Sequence, residues 1–525
     1  MNNSYNQTWQ YVEKWAEIKP DAEAMVYQDN RLKWSDVKTQ MNQLAKSFLD
    51  FNVQQGDSVA FLAMARPDFL TSFMAANKVG AVWFGLNPKF TYNELKYQLD
   101  DARPKVLMTI SEFMGNDLTP MLNQLKDECS YIKKIVILDK AIDGFDNIDN
   151  ILNLSTEADD ASLQSRTENL SDQAPALLMY TSGSTGKPKG VVHTHESILE
   201  NLKTQVQYFA MHENSRGLLH FPINHVAADI ELGYALIYVG ACSVMMDSFH
   251  PVESLKIIPK EKITLLGQMP VMFLLQMKQP EFAETDFSSV EQYLWAGAAA
   301  PKLMVDILKP IADKHGATLV TGYGSTEVAG FVTYTKVTDN MHRLMNTAGK
   351  IADAFELKIV DDERNEIADG EVGEIAVKGK FMFKEYLNKP DATAQVLDKE
   401  GWYYTNDLAH KDEDGYITIV GRKSEMFKTG GENVFPREVE EALETHPAVI
   451  FAAVIGVPDD LYQEVGWAYI MKSPEHALTE DELINLCNEK LANYKRPKKF
   501  FIRDALPMLP TGKVDKMTLK SEVNN

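Results

Sequence analysis

"TSGSTGKPKG" (residues 181–190) sets three glycines, four hydroxyl side chains and two lysines in ten positions. The run before it, "PALLMY" (175–180), and the run after it, "VVHTH" (191–195), both read as strands. The loop is therefore a turn between strands, with Gly183, Gly186 and Gly190 free to take backbone angles that other residues avoid. Consecutive backbone N–H groups in such a turn form an anion-binding concavity, and Ser182, Ser184 and Thr185 add short donors. Lys187 and Lys189 supply positive charge for a polyphosphate. Two familiar phosphate motifs fail on spelling. A Walker A loop would need glycine where Thr181 stands and a hydroxyl residue where Pro188 follows the lysine. A G-x-G-x-x-G turn would need a third glycine that is absent. A plain Gly/Ser linker is argued against by the apolar runs on both sides.

The chain around this loop has 525 residues, room for about three or four domain-sized units. Apolar residues make up 45% and charged residues 24%, a balance that buries sizeable cores. A formal net charge of −22 repels a nucleic-acid backbone, so no nucleic-acid partner is expected. Cys129, Cys242 and Cys487 lie far apart and show neither metal spacing nor a disulfide framework, which fits a reducing cytoplasm. The polar start "MNNSYNQTWQ" does not read as a signal peptide. The longest uncharged run, Leu232 to Met246, is short for a membrane helix and reads as a buried helix and strand, so no integral membrane contact is expected.

Along the first third, helical and strand-like segments alternate. "WSDVKTQMNQLAKSFLDF" is helical, "DSVAFLA" a strand, "PDFLTSFMAANKVGA" helical again, and "VWFGLN" a strand. "TYNELKYQLDDA" opens on Thr91 with Glu94 three residues on, a capping box. "KVLMTI" and "KKIVIL" are further short strands. The rhythm predicts parallel sheets covered by helices. Beyond residue 350, "LKIVDDERNEIADGEVGEIAVKG" and "GYITIVGRK" read as hairpins with DG-type turns. A boundary at 421–424 then separates residues 1–421 from a small unit of helices and strands, 422–525.

Further islands stand in order along the chain: "TGYGSTE" (321–327), a glycine turn beside an aromatic, a hydroxyl and a carboxylate; "GWYYTNDLAHKDEDGYITIVGRK" (401–423); "KTGGENVFPREVEEAL"; and "PTGKVDK" (510–516). Together with the 181–190 loop they resemble the adenylate-forming family of acyl-CoA synthetases, nonribosomal-peptide adenylation domains and luciferases. The resemblance runs from about residue 10 to 516. It implies an α/β fold: a large N-terminal domain of parallel-rich sheets with helices and a β-barrel-like subdomain, and a small mobile α+β C-terminal domain.

The family joins a carboxylate to the α-phosphate of ATP, giving acyl-adenylate and pyrophosphate, and then passes the acyl group to a thiol with release of AMP. By the resemblance, Ser182, Gly183, Ser184, Thr185, Gly186, Lys187 and Lys189 hold the β- and γ-phosphates, where donors stabilise growing charge on the leaving pyrophosphate. Thr181 at the loop's entrance, Thr326 facing the α-phosphate, Glu327 as ligand of Mg²⁺, and Lys513 form the catalytic set. Lys513 bridges the carboxylate and the α-phosphate as they meet. Tyr323, between Gly322 and Gly324, stacks on adenine. Asp407 accepts from the ribose hydroxyls, and Arg422 contacts ribose near the hinge. In the second step the C-terminal domain swings and "GGEN" (430–433), with Gly430, Gly431 and Glu432, lines the thiol tunnel. The basic run "YKRPKKFFIR" (494–503) meets either CoA phosphates, an acidic carrier protein, or only solvent.

Two positions depart from the family pattern: Asn406 stands in T-G-D where glycine is common, and Ser424 stands two residues after Arg422 where Lys or Asp is common. The acyl pocket is placed around His225, Ala228, Asp229, Gly297, Ala298, Ala299 and Gly330, mostly small residues that leave room for a sizeable apolar group. Asp229 either faces solvent or meets a polar or cationic group on the substrate. A medium- or long-chain fatty acid leads as the substrate, with an aromatic or carnitine-like acid behind. Three functions stay open: a ligase using CoA, a ligase loading the phosphopantetheine arm of a separate acyl carrier protein, and a catalytically degenerate nucleotide-binding regulator. A homodimer is an open assembly.

Overall fold

The computed structural model describes residues 5–153, 160–181, 187–298, 300–336, 339–473, 476–508 and 514–523. Two large sheets dominate. In the eight-stranded one, Ser58–Leu62 runs parallel to Val82–Leu86 on one side and to Val106–Thr109 on the other. Val59, Ala60, Phe61 and Leu62 are all fully buried, as expected for a strand with helices on both faces. Pro175–Thr181 lies parallel to Val82–Leu86 and pairs antiparallel with Lys189–Thr194, so the 181–190 stretch does join two strands of one hairpin. Thr91 and Glu94 form the expected capping box at the start of the helix Tyr92–Ala102, each side chain satisfying an orphan backbone N–H.

The nine-stranded sheet carries the parallel strands Arg216–Leu219, Leu265–Gln268, Gln292–Trp295 and Thr318–Ser325 side by side. The uncharged run from Leu232 to Met246 is the end of a π-helix, Ala227–Tyr234, then the helix Ala235–Val239 and the strand Cys242–Met245, nearly all of it buried. Among the described residues no helix is long and apolar enough to cross a membrane.

The β-rich subdomain is a four-stranded antiparallel sheet of Glu356–Val360, Gly373–Lys378, Tyr403–Lys411 and Ile417–Arg422. Its hairpins form where expected, but longer loops join them than a tight DG turn would. Asp369-Gly370 sits within the 361–372 connection and Asp414-Gly415 within 412–416, both glycines at positive φ. The smaller C-terminal domain pairs Val449–Asp459 antiparallel with Gln463–Lys472, adds Lys499–Arg503 in parallel, and packs the helices Pro436–Glu444 and Glu480–Lys490 around its own apolar cluster.

Candidate active site

Asp407 lies on the strand Tyr403–Lys411 of the four-stranded sheet, and Tyr323 on the strand Thr318–Ser325 of the nine-stranded one. Tertiary packing brings them together: the Tyr323 hydroxyl donates to Asp407 Oδ2 at 2.6 Å. Arg422, directly opposite Asp407 in the hairpin, donates from Nε to Oδ1 at 3.0 Å. Each carboxylate oxygen is thus pinned by one donor and keeps lone-pair capacity for another. Burial, and then the Asp407 charge, push the Tyr323 phenol well above its usual range; the same carboxylate raises Arg422. The Arg422 side chain is 52% exposed, so its ion pair is screened, whereas the bond from Tyr323 is sheltered.

"TGYGSTE" does not form a glycine turn. Residues 318–325 continue as a strand paired antiparallel with Gly330–Tyr334. Glycine is needed there for close approach: a Cβ on Gly324 would stand 1.8 Å from the Gly330 carbonyl oxygen, and one on Gly322 would stand 2.3 Å from that of Thr333. The strand ends in the short turn Thr326–Val328, which presents Thr326 and Glu327. The Thr326 carbonyl accepts from His193 Nε2 at 2.6 Å. Burial pushes the His193 pKa down to about 4, so its ring is neutral and its Nε2 carries the donated hydrogen. Glu327 Oε1 accepts from the Tyr386 hydroxyl at 2.9 Å. Tyr386 stands on Glu385–Tyr386, which pairs with Lys189–Thr194, and Lys189 Nζ lies 5.0 Å from its ring centroid. Thr181 closes the hairpin opposite Lys189, and Lys187 is exposed, 5.7 Å from the Tyr97 ring centroid. Ser182, Gly183, Ser184, Thr185, Gly186, Ala299 and Lys513 lie outside the described residues.

The chain matches the family model for AMP-binding enzymes over residues 12–387, and that for the AMP-binding enzyme C-terminal domain over 438–513. The chain belongs to the AMP-binding enzyme family. A long-chain-fatty-acid–CoA ligase of Bacillus subtilis (strain 168) is 32% identical over 526 residues, covering 96% of this chain and 92% of its own. A medium-chain fatty-acid–CoA ligase of Escherichia coli (strain K12) is 31% identical over 523 residues, covering 98% and 90%. The crystal structure of an anthranilate CoA ligase in complex with anthranoyl-AMP superposes with a TM-score of 0.88 at 25% identity, over 98% of this chain and 97% of that one. By class the protein is an AMP-forming acid–thiol ligase, and membership of the family implies the use of ATP and CoA and a small carboxylic acid as substrate.

Within this AMP-binding enzyme the residues expected for the acyl pocket divide. His225 is half-buried and its Nδ1 accepts from the Ala227 N–H at 3.1 Å, capping the entry to the π-helix. Gly330 and Ala228 are closed off from solvent, while Gly297 and Ala298 are exposed. Asp229 does not face solvent, against one of the two expectations. The π-helix packs between the helix Pro67–Lys78 and the strand Gly330–Tyr334, which buries the carboxyl completely. Neither carboxyl oxygen has a hydrogen-bond partner among the described residues, and burial raises its pKa well above the carboxylate range, favouring the neutral acid. Gly430 and Gly431, both at positive φ, join Phe427–Thr429 to Glu432–Val434, and Gly431 and Glu432 are exposed. Within the basic run, Lys495 pairs with Glu438 and Arg503 with Glu522, which spends part of its charge inside the domain.

Tyr386 and His193 are site neighbours that the sequence reading missed. Their link to Glu327 and Thr326 spans 59 and 133 positions, so no local spacing carries it.

Proposed function

We propose that this chain joins a carboxylic acid to the α-phosphate of ATP, forming an acyl-adenylate and pyrophosphate, and then transfers the acyl group to CoA with release of AMP. The observation that carries this reading is the Tyr323–Asp407–Arg422 cluster, in which two sheets converge to hold one buried carboxylate in a fixed orientation. A carboxylate oriented in this way suits the two adjacent hydroxyls of a ribose. Thr181 and Lys189, at the mouth of the 181–190 loop, stand on the same sheet as Tyr386. The phosphates are therefore held beside Glu327.

Mg²⁺ fits this donor set. It needs one or two hard carboxylate ligands and takes the rest of its shell from water and substrate phosphates. Glu327 supplies such a ligand, oriented by Tyr386. When bound, the ion would neutralise charge on the phosphates. Lys513 provides the ammonium that meets the carboxylate and the α-phosphate in the first step. Residues 422–525 then rotate about 421–424, withdrawing Lys513 and presenting the Gly430–Gly431 turn to the thiol. The acid is a medium- or long-chain apolar one, a reading supported by the names of the fatty-acid–CoA ligase relatives and by the small Ala329 and Gly330 beside the site. Buried, unpaired Cys129, Cys242 and Cys487 support a cytoplasmic setting.

The test is acid-dependent pyrophosphate release across a broad acid panel, with CoA, with a holo carrier protein, and with neither. Acyl-CoA formed in the first arm supports the proposal. Acyl-thioester formed only on the carrier protein replaces CoA as the acceptor. No AMP-linked product from any acid sinks the reading.

A further inference from the structure

The helix Lys516–Val523 in the C-terminal domain begins with a charge of the wrong sign. Asp515 caps it: its Oδ1 accepts from the Met517 and Thr518 N–H groups, at 3.1 Å each. The next residue, Lys516, puts an ammonium at the positive end of the helix, where a cation is disfavoured. Leu519 is fully buried in the apolar cluster of Ile455, Val457 and Tyr469, so packing already fixes the helix on its sheet. The lysine at its start therefore serves something other than helix formation.

Its partners are two carboxylates from separate segments. Lys516 Nζ donates to Glu425 Oε2 at 2.6 Å and lies 2.8 Å from Glu440 Oε1. The Glu440 side chain is 6% exposed, so that arm is sheltered; Glu425, at 38%, is partly screened by solvent. Burial acts to lower the Lys516 pKa, but the Glu440 and Glu425 charges outweigh it and the net shift is upward, so the ammonium stays charged. Glu440 stands on the helix Pro436–Glu444, and the same Oε1 accepts the Val454 N–H at 2.9 Å, which ties that helix to the sheet. Glu425 directly follows Ser424 at the domain boundary.

Before Ser424 the chain is held by other groups. Arg422 donates to Asp407, and Lys423 Nζ lies 2.8 Å from Asp362 and 3.2 Å from Glu374. Glu374 Oε1 also accepts the N–H of Asn406, the residue before Asp407, at 2.9 Å. Arg422 and Lys423 are thus fastened to the nucleotide cluster, and Glu425 to the C-terminal domain. Lys516 stands three positions after Lys513. Just before it, Val514 bridges to Met508 and the Asp515 N–H donates to the Pro507 carbonyl at 2.8 Å. One ammonium therefore joins the first residue beyond the boundary, the helix Pro436–Glu444 and the stretch that follows Lys513.

We propose that Lys516 is a positioning residue for the first half-reaction: by clamping Glu425 and Glu440 it makes the boundary and the Lys513-bearing stretch move as one body. The proposal rests on the acyl-adenylate reading above and on the role given there to Lys513. A reacting group misplaced by about 1 Å loses up to roughly 10²-fold in rate. Lys516→Gln should therefore lower kcat for acid-dependent pyrophosphate release roughly 10- to 10²-fold. The KM for ATP should stay within about twofold, because Tyr323, Asp407 and Arg422 are untouched. Thioester formation from supplied acyl-AMP and CoA, a step without Lys513, should also stay within about twofold. Lys516→Arg keeps a charge that reaches both carboxylates and should restore most of the lost rate. Glu425→Gln leaves Lys516 paired with Glu440, so it should show the same split at smaller size; it keeps the test decisive if Lys516→Gln does not fold. The inference is overturned if folded variants form adenylate as fast as the parent, if both half-reactions fall together, or if Lys516→Arg restores nothing. Those outcomes in an active parent sink this inference alone, whereas no adenylate from the parent with any acid sinks the activity itself.

Discussion

Tyr323→Phe removes one oxygen and leaves the ring. In the parent that oxygen donates to Asp407 Oδ2 at 2.6 Å in a sheltered setting, and the remaining donor, Arg422, is half-exposed. A hydrogen bond to a charged group contributes about 1.5–3 kcal/mol, and each 1.4 kcal/mol is tenfold in an equilibrium, so the loss corresponds to roughly 10- to 150-fold. Arg422 still restrains Oδ1, which argues for the lower half of that range. Because the ring persists, any stacking on the base is retained. A ribose contact is equally strong in the ground and transition states, so the loss should appear in the KM for ATP with kcat little changed. The assay is acid-dependent pyrophosphate release at varied ATP, with thermal unfolding as a check on folding. If the variant folds normally and its ATP KM stays within about twofold of the parent, Tyr323 does not orient a nucleotide-binding Asp407, and the site reading fails.

Other substitutions separate the remaining roles. Tyr386→Phe frees Glu327 Oε1, and we expect a higher Mg²⁺ requirement for adenylate formation with a smaller change at saturating metal; an unaltered Mg²⁺ titration would show that Tyr386 only packs. Lys513→Ala should lower acyl-adenylate formation roughly 10²–10³-fold while sparing thioester formation from supplied acyl-AMP. Equal loss in both half-reactions would refute that assignment. Stability should also depend on pH through the buried histidines. His193 and His220 fall from 6.5 to about 4 in the folded state, so between those values the unfolded chain binds more protons. Stability is then intact above about 6.5 and is lost as pH falls toward 4; Tm measured from pH 7 to 4.5 should decline, and less steeply in His193→Gln.

Much of the fold was legible because it is local. The Thr91–Glu94 capping box, the alternation of helix and strand before residue 150, and the strand–loop–strand at 175–194 all rest on contacts between near neighbours. Periodicity and turn residues encode such contacts directly. The motif islands likewise nominated Asp407, Glu327 and Tyr323 as candidate site residues, and packing gathers Asp407 with Tyr323. The errors have a common origin. "TGYGSTE" looks like a turn because its glycines suggest unusual backbone angles, whereas they serve the near-contact of two strands. Asp229 looks exposable because it is charged, whereas the π-helix that carries it is enclosed by elements distant in sequence.

The amino-acid sequence by itself therefore determined the family, through its ordered motif islands, and the local elements that carry those islands. Only the tertiary structure decided which groups meet: Tyr323 with Asp407 across two sheets, Tyr386 with Glu327, and His193 with the Thr326 carbonyl. The reason is physical. Helical and strand propensities act over a few residues, but hydrogen-bond satisfaction is settled only when distant segments exclude water from the same space.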